Sequence, residues 1–478
     1  MKNDEFVKDI TNIDEDFAQW YTDIVLKAEL ADYSDTKGCI VIRPYGYEIW
    51  EKIQEYADKR FKEVGIKNTS FPLLIPESLL LKEKDHVEGF APEVAWVTHA
   101  GGQKLDERLC IRPTSETIIS TMYSKWLKSW RDLPFLYNQW CNVLRWEKET
   151  RPFLRSREFL WQEGHTIHET AKEARELTLQ MLEIYAGVIE NLLAIPVIKG
   201  RKTETEKFAG AEETYTVETL MHDGKALQAG TSHYFGQNFT KPFDIKFQNR
   251  DGEQEYAYQT SWGISTRLIG GIIMAHGDNR GLKLPPRVAP IQAVIVPIAM
   301  HKDGVIEKAQ EIFESLNKKI RVKLDDREQY STGYKFNDWE MRGVPLRIEL
   351  GPKDIENGKC IIVRRDTGEK IESDISEISK NIEKTLDMIQ KNMYDMCLER
   401  MKQKTSVAHN MEEFKTNLQN NQGLIKTMWC ESAECEEKIH DETGAKSRCM
   451  PFEQENLGNK CVYCGKEAHK MVIWARQY

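Results

Sequence analysis

Apolar positions that recur every three or four residues predict two long helices in the first half of the chain. The first covers Tyr45 to Val64, and Gly65 follows it where a helix cap is expected. The second covers His168 to Ile195, and Pro196 ends it because proline cannot continue a helix. Both helices carry ordinary apolar stripes, so we interpret them as scaffold.

Strict alternation replaces this helical period between Asn138 and His168. Two strand-like runs flank the polar segment KETRPFLRSR, and the first run has Arg145 and Glu147 on one face. The second run presents four side chains on one face: Phe159, Trp161, Glu163 and His165. A face that combines aromatic rings with a carboxylate and an imidazole favours a small-molecule site. The alternative is an amphipathic hairpin with a salt-bridged edge.

The segment RPTSETII lies upstream of this hairpin and contains a predicted helix start. Thr114 and Glu116 are two residues apart and could together bind an amine. The alternative is structural, because a hydroxyl caps backbone amides and a carboxylate is favoured at the start of a helix. The sequence leaves both possibilities open.

A strand from Lys225 to Phe239 contains Gly230, and glycine within a strand often marks a bulge or the close approach of a ligand. Gln228, Thr231 and His233 surround this glycine. By itself His233 has little weight, because a lone histidine is usually structural.

A further strand, through Ser261 and Trp262, leads to an apolar helix that opens near Ser265 and Arg267. An arginine at the start of a buried helix needs an anionic partner. Phosphate suits this position, because the helix N-terminus favours negative charge and guanidinium binds phosphate in a fork. An internal Asp or Glu is the alternative partner.

Composition narrows the class of protein. The 478 residues are 40% hydrophobic and 30% charged, which is typical of a soluble protein of several domains. The first ten residues lack the apolar core of a signal peptide, and no apolar run is long enough to span a membrane. The net charge of −9 argues against non-specific coating of nucleic acid. We therefore expect a cytoplasmic protein.

Half of the ten cysteines fall at or after Cys430. Two close pairs, Cys430 with Cys435 and Cys461 with Cys464, predict a tetrahedral four-cysteine zinc site of structural type. Unmetallated thiols are the alternative, and Cys449, His440 and His469 are spare candidate ligands.

Taken in order, these elements resemble motifs 1, 2 and 3 of the class II aminoacyl-tRNA synthetases. Motif 1 would be the first helix with the extended run that ends at Pro76. RPTSET, RWE with FLWQEGH, FAGA, AGTSH and the strand containing SWG further resemble the prolyl-tRNA synthetase family of the archaeal and eukaryotic type. The resemblance covers essentially the whole chain.

The resemblance implies a role for each matching residue. Thr114 and Glu116 would hold the proline ammonium, and the remaining proline-pocket residues would be Arg145, Trp161, Glu163, His165, Phe208 and His233. The ATP site would comprise Arg145, Glu147, Arg155, Phe159, Gln228, Thr231, Ser265 and Arg267. Arg145 and Arg267 would be the catalytic residues, since fixed cations stabilise charge on phosphate oxygens. Mg²⁺ would accompany ATP.

The implied architecture is an α+β and α/β multidomain chain. It comprises an antiparallel-sheet catalytic domain (1–284), an α/β anticodon-binding domain (291–390) and a small zinc-binding α/β domain (391–478). Arg347, Glu349 and Lys353 are the predicted anticodon contacts, with a solvated strand edge as the alternative. We expect a homodimer that acts on tRNA(Pro), with no contact to DNA or membrane.

The interval between motifs 2 and 3 is too short for an editing domain, so we expect alanine and cysteine to be mis-activated. Two other classes remain possible. Another class II synthetase with a zinc-bound substrate would need a core metal site, but Cys110 is isolated. A non-catalytic tRNA-binding protein would be expected to lack the phosphate-binding arginines, all of which are present.

Overall fold

The structure, a computed structural model, describes residues 10–84 and 94–478. The signal-peptide prediction therefore concerns residues that lie almost entirely outside the described part. Up to residue 284 the strands are β1 (Ala31–Tyr33), β2 (Ile40–Ile42), β3 (Lys67–Asn68), β4 (Leu74–Pro76), β5 (Trp96–Ala100), β6 (Gln103–Ile111), β7 (Phe135–Leu144), β8 (Glu158–His168), β9 (Ile198–Arg201), β10 (Glu213–Leu220), β11 (Ala226–Gly236), β12 (Lys246–Gln248), β13 (Gln254–Tyr256) and β14 (Tyr258–Ser265). The helices are α1 (Phe17–Lys27), α2 (Pro44–Glu63), α3 (Glu77–Lys84), α4 (Glu116–Trp126), α5 (Ala171–Gly187) and α6 (Arg267–His276), with a 3₁₀ turn at Trp130–Asp132 and a π turn at Val188–Leu192.

The helix predicted at Tyr45–Val64 is confirmed as α2. Pro44 opens it without loss of a hydrogen bond, because the first N–H of a helix has no partner within the helix. The second predicted helix begins later than expected. His168 belongs to β8, and α5 starts after a capping box between Thr170 and Glu173.

The hairpin of β7 and β8 is antiparallel, as the alternation predicts, from Phe135 opposite Ile167 to Leu144 opposite Glu158. The first strand is shorter than predicted. The Glu147 N–H turns back to the Arg145 carbonyl (2.8 Å), and this bond ends the extended run before both residues.

The largest sheet described here has β11, β14, β8 and β7 side by side in antiparallel order. The register between β10 and β11 passes from Val217 opposite Gly230 to Glu218 opposite Gln228. Ala229 is skipped, so the strand has a bulge beside Gly230, one of the two alternatives that the sequence left open. Helices α2, α5 and α6 pack their apolar faces against this sheet and form the main core.

Residues beyond 290 form a second sheet of order β16-β15-β17-β18-β19 and a C-terminal α/β segment. The strands are β15 (Ala293–Pro297), β16 (Val322–Leu324), β17 (Leu346–Leu350), β18 (Lys359–Arg364), β19 (Lys370–Asp374), β20 (Thr405–Val407), β21 (Leu424–Trp429), β22 (Lys446–Pro451) and β23 (Lys470–Ala475). The helices are α7 (Val305–Leu316), α8 (Thr332–Met341), α9 (Pro352–Glu356), α10 (Ile378–Gln403), α11 (Met411–Asn420) and α12 (Ala433–Thr443), and a 3₁₀ turn spans Ile375–Glu377.

The C-terminal strands join the largest sheet. β22 pairs with β9 through Met450 opposite Arg201 and Pro451 opposite Gly200. A Cβ at Gly200 would lie 2.4 Å from the Met450 carbonyl oxygen, so glycine permits this close approach. One eleven-stranded sheet therefore runs from β20 to β3.

Within the described ranges, no helix is both long enough and apolar enough to cross a membrane.

Candidate active site

A cavity of about 260 Å³ opens on the face of β8, β11 and β14, beside the first residues of α4 and α6. Twelve of the predicted site residues line it: Thr114, Glu116, Arg145, Phe159, Trp161, Glu163, Phe208, Gln228, Thr231, His233, Ser265 and Arg267. Three other predicted residues do not: Glu147, Arg155 and His165. The wall also contains residues that the sequence did not single out, among them Glu206 and Thr214, and residues of the SWG strand that were given no role, Ser261 and Gly263.

Arg145 lies between the two aromatic rings that alternation placed on β8. Its guanidinium carbon is 5.4 Å from the Phe159 ring centre and 5.3 Å from that of Trp161, and Nε donates to the Pro113 carbonyl (3.0 Å). Burial lowers the pKa of Arg145. The negative charges of Glu116, Glu163 and Glu147 raise it, but by less than burial lowers it. A cation held in this way is oriented before any ligand arrives.

Arg267 is the first residue of α6 and makes only neutral contacts. Nε donates to the Leu154 carbonyl (3.3 Å) and a terminal nitrogen to the Gln228 carbonyl (3.5 Å). Within residues 10–84 and 94–478, no carboxylate lies within ion-pair distance of it, so the alternative of an internal acid is not observed. Burial and the charges of Arg145 and Arg155 lower the pKa of Arg267 to about 10. Glu218 opposes this effect only through its charge, without direct contact, so Arg267 has no directly paired anion among the described residues, and a phosphate would supply one.

Arg155 and Glu147 lie outside the cavity. The Arg155 side chain is half exposed and its Nη1 is 3.6 Å from a Glu147 carboxylate oxygen. Arg155 nevertheless adds positive charge to the environment of Arg267. The predicted contacts of this pair with ATP stay a prediction.

Two carboxylates, Glu116 and Glu163, also line the cavity. Thr114 donates to Glu116, and Ser261 lies 3.5 Å from the same carboxylate. Ser115 stands at the helix start but makes no capping bond, because its hydroxyl donates to Glu163 instead. The segment RPTSET is therefore used to build the cavity wall, and the alternative of a helix-capping hydroxyl is not observed.

Glu163 is buried within a set of donors. It accepts from the Ser115 N–H (3.2 Å) and from Gln139 Nε2 (2.7 Å), and His165 Nε2 lies at 3.2 Å. Burial alone would raise the pKa of Glu163, but these bonds and the charge on His165 lower it overall. The pKa of His165 is raised overall. Burial lowers it, but the hydrogen bond to Glu163 and the charges of Glu116 and Glu163 together raise it by more. Glu163, which lines the cavity, and His165, which lies behind it, therefore form an ion pair.

Two neighbouring aromatic residues, Phe208 and His233, also line the cavity. Phe208 lies 4.8 Å from His233 between ring centres, and Thr214 Oγ1 bonds both the Phe208 N–H (3.0 Å) and His233 Nδ1 (3.0 Å). Burial and the charge on His165 lower the pKa of His233 to about 3, so its ring is neutral. A neutral ring beside a phenyl group gives an apolar surface suited to an aliphatic substrate.

The four predicted cysteine ligands converge in the C-terminal segment. The sulfur atoms of Cys430, Cys435, Cys461 and Cys464 all lie within 4.8 Å of one another, and two of the pairs are 3.7 Å apart. A tetrahedral zinc with bonds of about 2.3 Å places its ligands about 3.8 Å apart, so the donor set fits this metal. The spare candidates, Cys449, His440 and His469, are not part of the cluster.

The predicted anticodon residues differ in exposure. Arg347 and Glu349 are buried and paired with each other (2.7 Å), and Arg347 also pairs with Glu340 (3.2 Å). Lys353 is exposed on α9. Their contact with an anticodon stays a prediction.

Comparison with family models agrees with this arrangement. Residues 96–276 match the tRNA synthetase class II core domain (G, H, P, S and T), 292–385 match the anticodon binding domain, and 411–478 match the C-terminal domain of prolyl-tRNA synthetase. The antiparallel sheet and its arginine-bearing cavity are those of a class II aminoacyl-tRNA synthetase.

Whole-chain relatives narrow the class. The chain is 61% identical to Proline--tRNA ligase 2 of Clostridioides difficile over 99% of both chains. It is 62% identical to Proline--tRNA ligase of Acetoanaerobium sticklandii over 100% of this chain and 99% of the relative. The chain belongs to the prolyl-tRNA synthetase family.

Proposed function

We propose that this chain activates L-proline with ATP and then transfers it to the 3′ end of tRNA(Pro). The observation that carries the proposal is that one cavity is lined by two buried arginines, Arg145 and Arg267, together with carboxylates and aromatic rings. A nucleotide and an amino acid bound together need both kinds of side chain.

On the amino-acid side, Thr114 and Glu116 bind the proline ammonium. Trp161, Phe208 and His233 enclose the ring, and Glu163 and His165 support that wall. Burial of an ammonium is favourable only beside a paired carboxylate, and Glu116 supplies one at the cavity surface.

On the nucleotide side, Arg145 contacts the α-phosphate and Arg267 the outer phosphates. Adenine stacks on Phe159, and Glu147, Arg155, Gln228, Thr231 and Ser265 make the remaining contacts. Mg²⁺ bound with ATP would neutralise further phosphate charge. This set of roles is supported by the match of residues 96–276 to the class II core, and by the finding that no carboxylate in the described part of the chain pairs directly with Arg267.

In the first step a proline carboxylate oxygen bonds to the α-phosphorus, and the bond from that phosphorus to the pyrophosphate oxygen breaks. The carboxylate is already ionised, so no general base is required. Arg145 and Arg267 stabilise the charge that develops on the phosphate oxygens. The positioning of proline against ATP supplies most of the remaining rate enhancement. In the second step the terminal ribose hydroxyl of tRNA(Pro) attacks the adenylate carbonyl and releases AMP.

Several further properties belong to the proposal. Zn²⁺ bound by Cys430, Cys435, Cys461 and Cys464 would be structural, because four thiolates leave no open position. The protein acts as a cytoplasmic homodimer, and exposed Leu73 and Leu74 near the motif 1 segment support an interface there. Arg347, Glu349 and Lys353 are proposed to contact the anticodon.

Alanine and cysteine should enter the proline pocket, because loss of a methylene costs only about 1–3 kcal/mol of discrimination. Between β8 and β14 the chain consists of α5, a π turn, three strands of the large sheet and the small β12–β13 hairpin, and this interval is too short for a separate editing domain. Efficient hydrolysis of Ala-tRNA(Pro) by this chain alone would contradict this part of the proposal.

Amino-acid-dependent exchange of pyrophosphate into ATP, run with all twenty amino acids, tests the activity. We expect the strongest exchange with proline, weaker exchange with alanine or cysteine, and none in Arg145→Ala. Arg131→Ala, which alters an exposed arginine outside the cavity, is the control. Absence of exchange with every amino acid, in folded and zinc-loaded protein, would favour a non-catalytic tRNA-binding function instead.

A further inference from the structure

The segment between β9 and β10 brings two side chains to the cavity wall. Glu206 and Phe208 both line the cavity, yet residues 202–207 have no helix or strand of their own. The segment is a turn closed by one backbone bond from the Lys207 N–H to the Thr203 carbonyl (3.0 Å), and a surface turn of this kind depends on its neighbours for further support. Three of its side-chain partners, Glu436, Ser447 and Lys446, come from the C-terminal part of the chain. We call residues 202–207 the rim segment.

The first contact is buried. Thr203 Oγ1 donates to the Glu436 carboxylate (2.8 Å) and lies 3.2 Å from Ser447 Oγ, which also donates to Glu436. All three side chains are almost fully shielded from solvent. Glu436 follows Cys435 directly on α12, so the helix that carries one predicted zinc ligand also holds the rim segment.

The second contact lies at the cavity itself. Lys446 Nζ on β22 is 3.0 Å from a carboxylate oxygen of Glu206, and both side chains keep a minor part of their surface exposed. Glu206 therefore lines the cavity while it is paired with a residue of the C-terminal segment.

A third contact fixes the start of the segment. Glu218 on β10 pairs with Lys202 (2.9 Å) and with Arg448 on β22 (2.7 Å), and all three side chains are buried. The rim segment is thus joined to the C-terminal segment at its first, second and fifth residues.

We propose that the C-terminal segment completes the amino-acid pocket by holding the rim segment, and that Glu436 and Lys446 are positioning residues for proline binding. The inference rests on the proposed function. Neither residue touches the substrate, since each acts through a residue of the rim segment. Phe208 follows this segment directly, so release of Thr203 and Glu206 would loosen the aromatic wall and leave the phosphate-binding arginines unchanged.

The test compares two pairs of variants in the full chain. Glu436→Ala removes the acceptor for Thr203, whereas Glu436→Gln keeps a carbonyl oxygen at that position. Lys446→Met removes the charge beside Glu206, whereas Lys446→Arg retains it. Glu437→Ala, an exposed neighbour on the same helix, is the matched control.

Pyrophosphate exchange is measured as a function of proline and of ATP for each protein. We expect Glu436→Ala and Lys446→Met to raise the KM for proline about tenfold with little change in the KM for ATP, because only binding on the amino-acid side is lost. Glu436→Gln, Lys446→Arg and the control should resemble the wild type. An unchanged KM for proline, or an equal rise in both KM values, would overturn the inference.

Trypsin cleavage after Lys207, followed by mass spectrometry, gives a readout that does not depend on activity. The bond should be protected in the wild type and cleaved faster in Glu436→Ala and Lys446→Met. If Glu436→Ala does not fold, Lys446→Met decides the outcome, because that residue is partly exposed. If the wild-type protein shows no proline-dependent exchange, the proposed function is refuted. If the wild type shows normal exchange and the variants have the same KM for proline, only the positioning role is refuted.

Discussion

Replacement of His165 by glutamine tests the ion pair behind the cavity wall. Glutamine keeps an N–H donor that can reach Glu163, but it cannot carry a positive charge. In the wild type, His165 Nε2 lies 3.2 Å from Glu163, and both side chains are at most 2% exposed. The substitution therefore isolates the charge from the hydrogen bond.

The magnitude follows from this distance. Opposite charges 3.2 Å apart attract by about 5 kcal/mol at an effective dielectric constant of about 20. Burying the imidazolium costs part of this energy, and glutamine retains a hydrogen bond to a charged group. We therefore expect a net loss of about 2 kcal/mol in the free energy of unfolding, which corresponds to about 5 °C in the melting temperature of a domain of this size.

The effect should depend on pH with a definite sign. The pKa of His165 is raised above its ordinary 6.5, so its contribution is fully present below pH 6.5 and is lost as the pH rises through the folded-state value. The pKa of Glu163 is lowered below its ordinary 4.5, so its contribution is present above pH 4.5 and is lost as the pH falls through the folded-state value. The difference between wild type and variant should be largest between pH 4.5 and 6.5.

Thermal unfolding of both proteins is measured from pH 5 to pH 9, with the exposed His301→Gln as the control. We expect the gap in melting temperature to narrow towards pH 9. A gap that stays constant across this range, or a variant as stable as the wild type at pH 6, would refute the ion pair.

Three further predictions concern other parts of the molecule. Gly164→Ala should destabilise the protein by about 1–3 kcal/mol in thermal unfolding, because the new Cβ would lie 2.1 Å from the Trp262 ring. Arg267→Lys should lower the kcat of pyrophosphate exchange about a hundredfold, since lysine lacks the planar fork, and a kcat within twofold of wild type would contradict its phosphate role. Cys464→Ser should lose bound zinc by elemental analysis, whereas Cys449→Ser, outside the cluster, should retain it.

Periodicity was sufficient to predict one wall of the cavity. The two-residue period of β8 placed Phe159, Trp161 and Glu163 on the cavity face, because successive side chains in a strand point to opposite sides. His165 shares this alternation but lies one step further along, behind Glu163. The alternation could identify the face of the strand, but not the point at which the cavity ends.

Other features had no local signal. Glu206 lies in a charged stretch that resembles a solvated surface, and its partner Lys446 is distant in the sequence. The union of the C-terminal strands with the catalytic sheet was also missed, because β9 and β22 are short and their pairing depends on Gly200. Contacts of this kind join segments that are distant in the sequence, so a local pattern of about a dozen residues cannot predict them.

The pairing of β22 with β9 has a consequence for the order in which the protein is made. Until residues 446–451 have left the ribosome, β9 presents one row of unpaired backbone groups to its surroundings. Open strand edges are sites at which unfinished chains associate. The nascent enzyme must therefore keep its catalytic sheet from joining a neighbouring chain until nearly all of the sequence described here has been synthesised.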